Sequence, residues 1–217
     1  MTEKQRVWDV PIRLFHWLLA GLIAFSWWSA ENHHGDWHLW SGFGILTLLL
    51  FRILWGFFGS STARFASFVR GPASVFAYLR GEWRGIGHSP LGALSVVAML
   101  LAVAVQVGLG LVSQDEDGLV AGPLADLVGL DLSEQATDLH ESFFYVLLGL
   151  IVLHLAALAY YRLVRRKDLI SPMITGRAGA QGFEGMRPGK WWAALLCLAA
   201  AIAITRWIVG GAPPFGG

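Results

Sequence analysis

The chain has 217 residues, of which 55% are hydrophobic and 14% charged, whereas soluble domains carry roughly one-quarter charged residues; an ordinary water-soluble globule is excluded and a bilayer is called for. The net charge of +1 says little as a total, because the charges are sorted along the chain. The one cysteine, Cys197, excludes an internal disulfide and any zinc or iron–sulfur site built from cysteines of this chain alone.

Crossing about 30 Å of hydrocarbon takes roughly 20 mostly apolar residues, and five segments meet or approach this. The first is Pro11–Trp28. Lys4 and Arg6 ahead of it resemble the basic start of a signal peptide, but Trp27 and Trp28 stand where a cleavage site needs small residues, so the helix is read as retained. Leu39–Phe58 is the second. After it, Phe65, Phe68, Val69, Val75, Phe76 and Leu79 recur at near-helical spacing among Arg64, Arg70, Arg80 and Arg84. This is the pattern of an amphipathic helix lying on a membrane surface, broken at Gly71-Pro72; a polar connecting loop is the alternative. Pro90–Val112, Leu139–Val164 and Trp191–Val209 are the third, fourth and fifth spans. The expected fold is an all-α integral membrane protein forming a single membrane domain over 1–217. Within it, 11–164 holds the first four spans, 165–190 is a connection, and 191–209 a fifth, C-terminal transmembrane helix.

Lys and Arg fix the expected orientation. Three lie in the N-terminal stretch, five run from Arg52 to Arg84, seven from Arg162 to Lys190, and none falls in 31–38 or 113–138. By the positive-inside rule the N-terminus is cytoplasmic, those two bare connections face outward, and five spans leave the C-terminus outside. Tryptophans mark the same interfaces, with Trp27, Trp28, Trp37 and Trp40 outside and Trp55, Trp191 and Trp192 inside. The outward connection carries Asp115, Glu116, Asp117, Asp126, Asp131, Glu134 and Asp138 with no base. It either steers a positively charged partner or simply keeps the acids that topology does not exclude.

Of seven histidines, His33, His34 and His88 fall in connections, while His16, His38, His140 and His154 lie within or at the edge of spans. An ionisable residue inside a membrane is a functional candidate by default; taken singly, each could also be a neutral imidazole bonded to a neighbouring helix. As a set they are more specific. His140 and His154 are 14 residues apart, close to four whole turns, so one helix presents both on one face about 21 Å apart. Depth supplies the partners: His16 with His154 near the cytoplasmic side, and His38 with His140 near the outer side. Iron held between two imidazoles has no open position and suits electron transfer. With no C-x-x-C-H signature, the haem would be bound without covalent links, as b-type. Gly42 and Gly149 would leave room for a flat porphyrin, although glycine is common at helix-packing faces anyway. Arg13 and Arg52 are candidates to pair with haem propionates, since a fork of donors matches a carboxylate; either could instead snorkel to lipid phosphates.

These residues resemble the bacterial cytochrome b561 family, in the branch similar to the b-type cytochrome subunits of nickel–iron hydrogenases. The resemblance rests on Arg13-Leu-Phe-His16-Trp17, on His38 with Gly42, Arg52 and Trp55-Gly56, on Gly87-His88-Ser-Pro-Leu-Gly92, and on the His140 to His154 spacing, covering about residues 8–176. It implies a four-helix core with two b haems on His16, His38, His140 and His154, quinone as one electron partner and a periplasmic redox protein, a c-type cytochrome or a hydrogenase-like protein, as the other. Analogy puts the quinone near His16. The fifth helix departs from the simplest four-helix members and points to a relative serving a c-type cytochrome. Membrane lipid is expected around the chain, nucleic acid is not, and the setting is the respiratory chain of the bacterial inner membrane. An electron-transfer subunit is favoured over a stand-alone oxidoreductase; the rivals are a superoxide:quinone oxidoreductase of the same family and a proton- or metal-coupled transporter.

Overall fold

The computed structural model describes residues 4–69, 71–82, 87–115, 118, 120–179 and 185–213, apart from the side chains of Pro72 and Leu79. Arg70, Arg84, Glu116 and Asp117, singled out above, lie outside the described residues. In chain order the elements are β1 (Lys4–Arg6), α1 (Val10–Glu31), α2 (Gly35–Phe58), α3 (Phe65–Phe68), α4 (Pro72–Leu79), α5 (Pro90–Val112), α6 (Ala125–Val128), α7 (Leu130–Leu163), α8 (Ile170–Thr175), β2 (Arg177–Gly179) and α9 (Trp191–Val209). The five helices α1, α2, α5, α7 and α9 are long and apolar enough to cross a membrane.

Several bounds and one class differ from the sequence reading; α1, for one, runs on to Glu31, three residues past Trp28. α7 starts nine residues before Leu139, so Asp131, Glu134 and Asp138 sit on a helix and not in a loop. Hydropathy misses this first stretch because it is polar; buried Ser133 and Ala136 hold it in place. α1 and α2 are joined by a turn of three residues, with His33 at φ 58°, which brings residues 35–38 into the second helix. The all-α expectation also misses a small antiparallel ribbon, in which β1 pairs with β2. Strands of three residues are too short to show an alternation by which to recognise them. The region after α2 folds as two short helices parted at Gly71, with Pro72 in the first turn of α4, the place where its missing N–H costs no hydrogen bond.

Two compact units divide the chain. One comprises Met1–His16, Arg52–Met99 and Ile151–Cys197. Its organising contact is Asp9, which is 8% exposed. One carboxylate oxygen accepts the Ile12 N–H at 2.8 Å, capping α1, and the other accepts the Trp55 indole N–H at 3.0 Å, tying the start of α1 to the end of α2. An N-cap of this kind is worth about 1 kcal/mol, and here it also satisfies the most buried large side chain, Trp55 at 1% exposure. The ribbon is anchored nearby, since the Gly176 carbonyl accepts the Val7 and Trp8 N–H groups and the Arg6 carbonyl accepts the Met186 N–H.

The second unit comprises Trp17–Phe51, Leu100–Leu150 and Leu198–Gly217. Its helices meet through small residues, with Ser29, Ser133 and Ala201 wholly buried, as expected where lipid offers no hydrophobic drive and close approach must supply the packing energy. Their hydroxyls bond back to carbonyls of the preceding turn, Ser29 to Ser26 and Ser133 to Leu130. The oxygens of Thr47 on α2 and Thr205 on α9 meet at 3.0 Å and join the fifth helix to the second.

The C-terminal end of α5 is closed by the segment that follows it. Gly122 donates to the Ser113 carbonyl at 2.7 Å and Leu124 to the Leu111 carbonyl at 2.9 Å, satisfying acceptors that a helix end leaves orphaned. Gly122 is required there because a Cβ would fall 2.3 Å from the Gly110 carbonyl oxygen and 2.5 Å from that of Leu111. Backbone cannot step aside, so Gly122→Ala is expected to destabilise the protein by about 1–3 kcal/mol, read as a lowered melting temperature in detergent.

Candidate functional site

In the second unit the rings of His38 and His140 stand 5.9 Å apart, centre to centre, and perpendicular. Two imidazoles on opposite sides of one metal, each bonded at about 2 Å, have ring centres about 6 Å apart. Each ring is oriented by a backbone carbonyl. His38 Nδ1 lies 2.9 Å from the Ser26 carbonyl and 3.2 Å from its hydroxyl, and His140 Nδ1 lies 2.9 Å from the Gln106 carbonyl. A carbonyl can only accept, so Nδ1 carries the proton in both rings and Nε2 keeps its lone pair for a metal. Such an outer bond fixes tautomer and aim together.

Gln106 and Ser26 were not singled out from sequence. Gln106 binds His140 twice, its own carbonyl accepting from the ring while its side-chain amide donates to the His140 carbonyl at 2.9 Å. Its signal was available, since it is the lone amide in an otherwise apolar span. One turn further on, Gly110 makes room for the imidazole: a Cβ there would lie 2.8 Å from His140 Cε1. Gly42, one turn beyond His38, faces open space, with no atom within 4 Å of where its Cβ would stand, which fits a flat group beside the ring. Gly149 is equally open, but nine residues from His140 is two and a half turns, which puts it on the opposite side of α7 from the histidine. The room expected from Gly149 is therefore not beside His140. His33 and His34 sit exposed in the turn before α2.

In the first unit, His16 on α1 and His154 on α7 are within electrostatic reach of each other. Among the described residues no group of three or more His, Cys, Asp or Glu side chains forms. Arg13 packs against Gly176, a glycine at φ 78° whose Cβ would fall 2.8 Å from the Arg13 guanidinium. Arg52 is deeper, at 2% exposure. Its guanidinium carbon lies 4.8 Å from the centre of the Phe65 ring and 5.9 Å from that of Phe68. Arg52 Nη1 is buried without a hydrogen-bond partner among the described residues, and the Asp9 carboxylate acts on the guanidinium electrostatically.

His88 belongs to this cluster, although the sequence places it only in a connection. Its ring is held between Trp8 at 4.6 Å and Phe68 at 4.5 Å. Burial, and secondarily the Arg52 guanidinium, pushes the imidazole from 6.5 down to about 3. The unfolded chain takes up this proton below about 6.5 and the folded chain only near 3, so the folded state keeps its full stability above about 6.5 and loses it as the pH falls. His88→Phe keeps a ring in the slot and removes the titration. Melting temperatures of the detergent-solubilised protein from about pH 7 to about pH 5 should fall less steeply for the variant than for the parent; identical slopes would contradict the assignment.

A family model described as prokaryotic cytochrome b561 matches residues 7–176, a stretch holding α1 to α8 and all four span histidines. No curated protein and no solved structure matches the chain. The family consists of membrane b-type cytochromes that bind haem b and transfer electrons, which accords with the apolar helices and with histidines, not cysteines, as available ligands. The chain belongs to the prokaryotic cytochrome b561 family.

Proposed function

We propose that this chain carries electrons through two haem b groups, one between His38 and His140 and the other between His16 and His154, linking quinone with a periplasmic redox protein, a c-type cytochrome. The observation that carries the reading is the His38–His140 pair, at a spacing suited to one metal and with both Nδ1 atoms committed to carbonyls. Haem b held by these histidines would supply reversible one-electron transfer, and two imidazoles on one iron would leave no position for oxygen. The chain's residues fix that chemistry in place: Ser26 and Gln106 aim the outer pair, Gly110 admits the His140 ring, and Gly42 leaves space on the same face as His38. Arg52 is assigned to a propionate of the inner haem, supported by its burial and its orphaned Nη1; a buried cation near a haem also favours the reduced state by direct attraction.

Asp126, Asp131, Glu134 and Asp138 are all exposed on α6 and α7, which supports a positively charged partner drawn to the outer end. The orientation follows the distribution of Lys and Arg, with the N-terminus cytoplasmic and the C-terminus periplasmic in the inner membrane.

Replacing His38 or His140 by alanine should halve the haem content, and replacing both should remove no more than either alone. Replacing His16 or His154 should remove the other half, and His16→Ala with His38→Ala should leave none. The check is the haem-to-protein ratio in the reduced, pyridine-treated sample, and full retention by every single variant sinks the pairing. Gly110→Ala, whose Cβ would press on the His140 ring at 2.8 Å, should loosen the same haem as His140→Ala. Reduction or oxidation of a basic c-type cytochrome should slow as salt is added, because exposed charges are screened beyond about 10 Å at 0.1 M.

A further inference from the structure

A second site lies in the first unit and requires only a bilayer, not the haems. A cleft of about 480 Å³ opens between the ribbon, the start of α1 and the start of α9. Arg6, Arg13 and Arg177 line its polar side. Arg6 and Arg177 are directly opposite each other across the two-stranded ribbon, an arrangement in which like charges destabilise the pairing. None of the three forms an ion pair among the described residues, and Arg13 Nε is buried there without a hydrogen-bond partner. The acid lining the cleft, Asp9, has both oxygens engaged by Ile12 and Trp55. Three guanidiniums thus line one space with no ion pair to any of them among the described residues.

The opposite side of the cleft is apolar. Val10 and Trp191 line it and are 56% and 75% exposed. Leu14 on α1 and Leu195 on α9, each one turn deeper along its helix, are 57% and 56% exposed. Trp191 opens a membrane-crossing helix, the depth at which indoles settle among headgroups. Charge above and an exposed apolar track below are the two halves of an amphiphile's complement.

We infer that this cleft binds an anionic glycerophospholipid, its phosphate held by Arg6, Arg13 and Arg177 and its acyl chains lying along Val10, Leu14 and Leu195. A phosphodiester accepts the paired donors of a guanidinium fork and neutralises the facing arginines. A neutral quinone would leave all three charges unanswered, and free phosphate would leave the apolar track bare. The cross-strand repulsion gives the site its signature: the ribbon is strained when the cleft is empty and relieved when it is filled.

The test compares the full-length protein with the Arg177→Gln and Arg6→Gln variants in nanodiscs of phosphatidylcholine alone and in nanodiscs containing phosphatidylglycerol. In phosphatidylcholine either variant should melt at or above the parent, because one of two opposed charges is gone. Phosphatidylglycerol should then raise the parent's melting temperature and the variants' much less. Native mass spectra of detergent-purified protein should show phosphatidylglycerol retained over phosphatidylcholine, with the preference falling about fivefold for each arginine removed. Arg80→Gln, at the end of α4 and away from the cleft, should keep the parent's preference. Equal stabilisation by the two lipids, or equal loss of preference in Arg80→Gln, overturns the proposal. So does equal stabilisation by inorganic phosphate, which would make the site one for a soluble anion, or displacement of the retained lipid by a short-chain quinone. Haem content does not enter these readouts, so they stand or fall separately from the electron-transfer assignment.

Discussion

Hydrocarbon offers a polar group no partner, and this constraint governs where every polar atom of the long helices goes. A hydroxyl or imidazole inside a span must find its acceptor within the protein or bear several kcal/mol of penalty, about 4–8 in a wholly apolar medium. Ser29, Ser41, Thr47 and Ser113 resolve it locally, each returning its proton to a carbonyl three or four residues back. His38 and His140 resolve it across helices, through the carbonyls of Ser26 and Gln106. The same requirement that makes these histidines tolerable in a membrane commits Nδ1 of each ring to a carbonyl and leaves Nε2 uncommitted.

Arginine shows the opposite balance. Arg52 is buried among phenylalanine rings, and one nitrogen is left without an acceptor among the described residues. Cation–π contacts return a part of the lost hydration, about 1–2 kcal/mol when desolvated, and the Asp9 carboxylate acts on the same guanidinium electrostatically. Burial and charge are here only partly reconciled. Arg6 and Arg177, set against each other on the ribbon, express the same logic at the surface, where water softens the repulsion.

Much of this was legible in the sequence, for identifiable reasons. The bounds of α5 and α9 follow the hydropathy to the residue, because a proline opens one run and a charged connection abuts the other. Helical phase and depth also brought His38 and His140 to one end of the bundle on paper, and their rings do stand near each other. The extension of α7 was not legible, since a polar helical stretch has no hydropathy signature and is held by two small buried residues. Nor were the carbonyls that orient His38 and His140, because a main-chain acceptor is the same group in every residue. His88 shows the limit of reading by depth along a single helix: a loop position says nothing of the Trp8 and Phe68 rings that close over it.

The unbroken course of α7 bears on how this chain can change over time. His140 and His154 ride one continuous helix of 34 residues, so inserting or deleting a single residue between them would swing one by about 100° relative to the other. Their register tolerates substitution but not a change of length, and only a gain or loss near a whole number of turns would preserve it. The nine residues ahead of Leu139 carry no such lock, so a change of length there leaves the two histidines in phase.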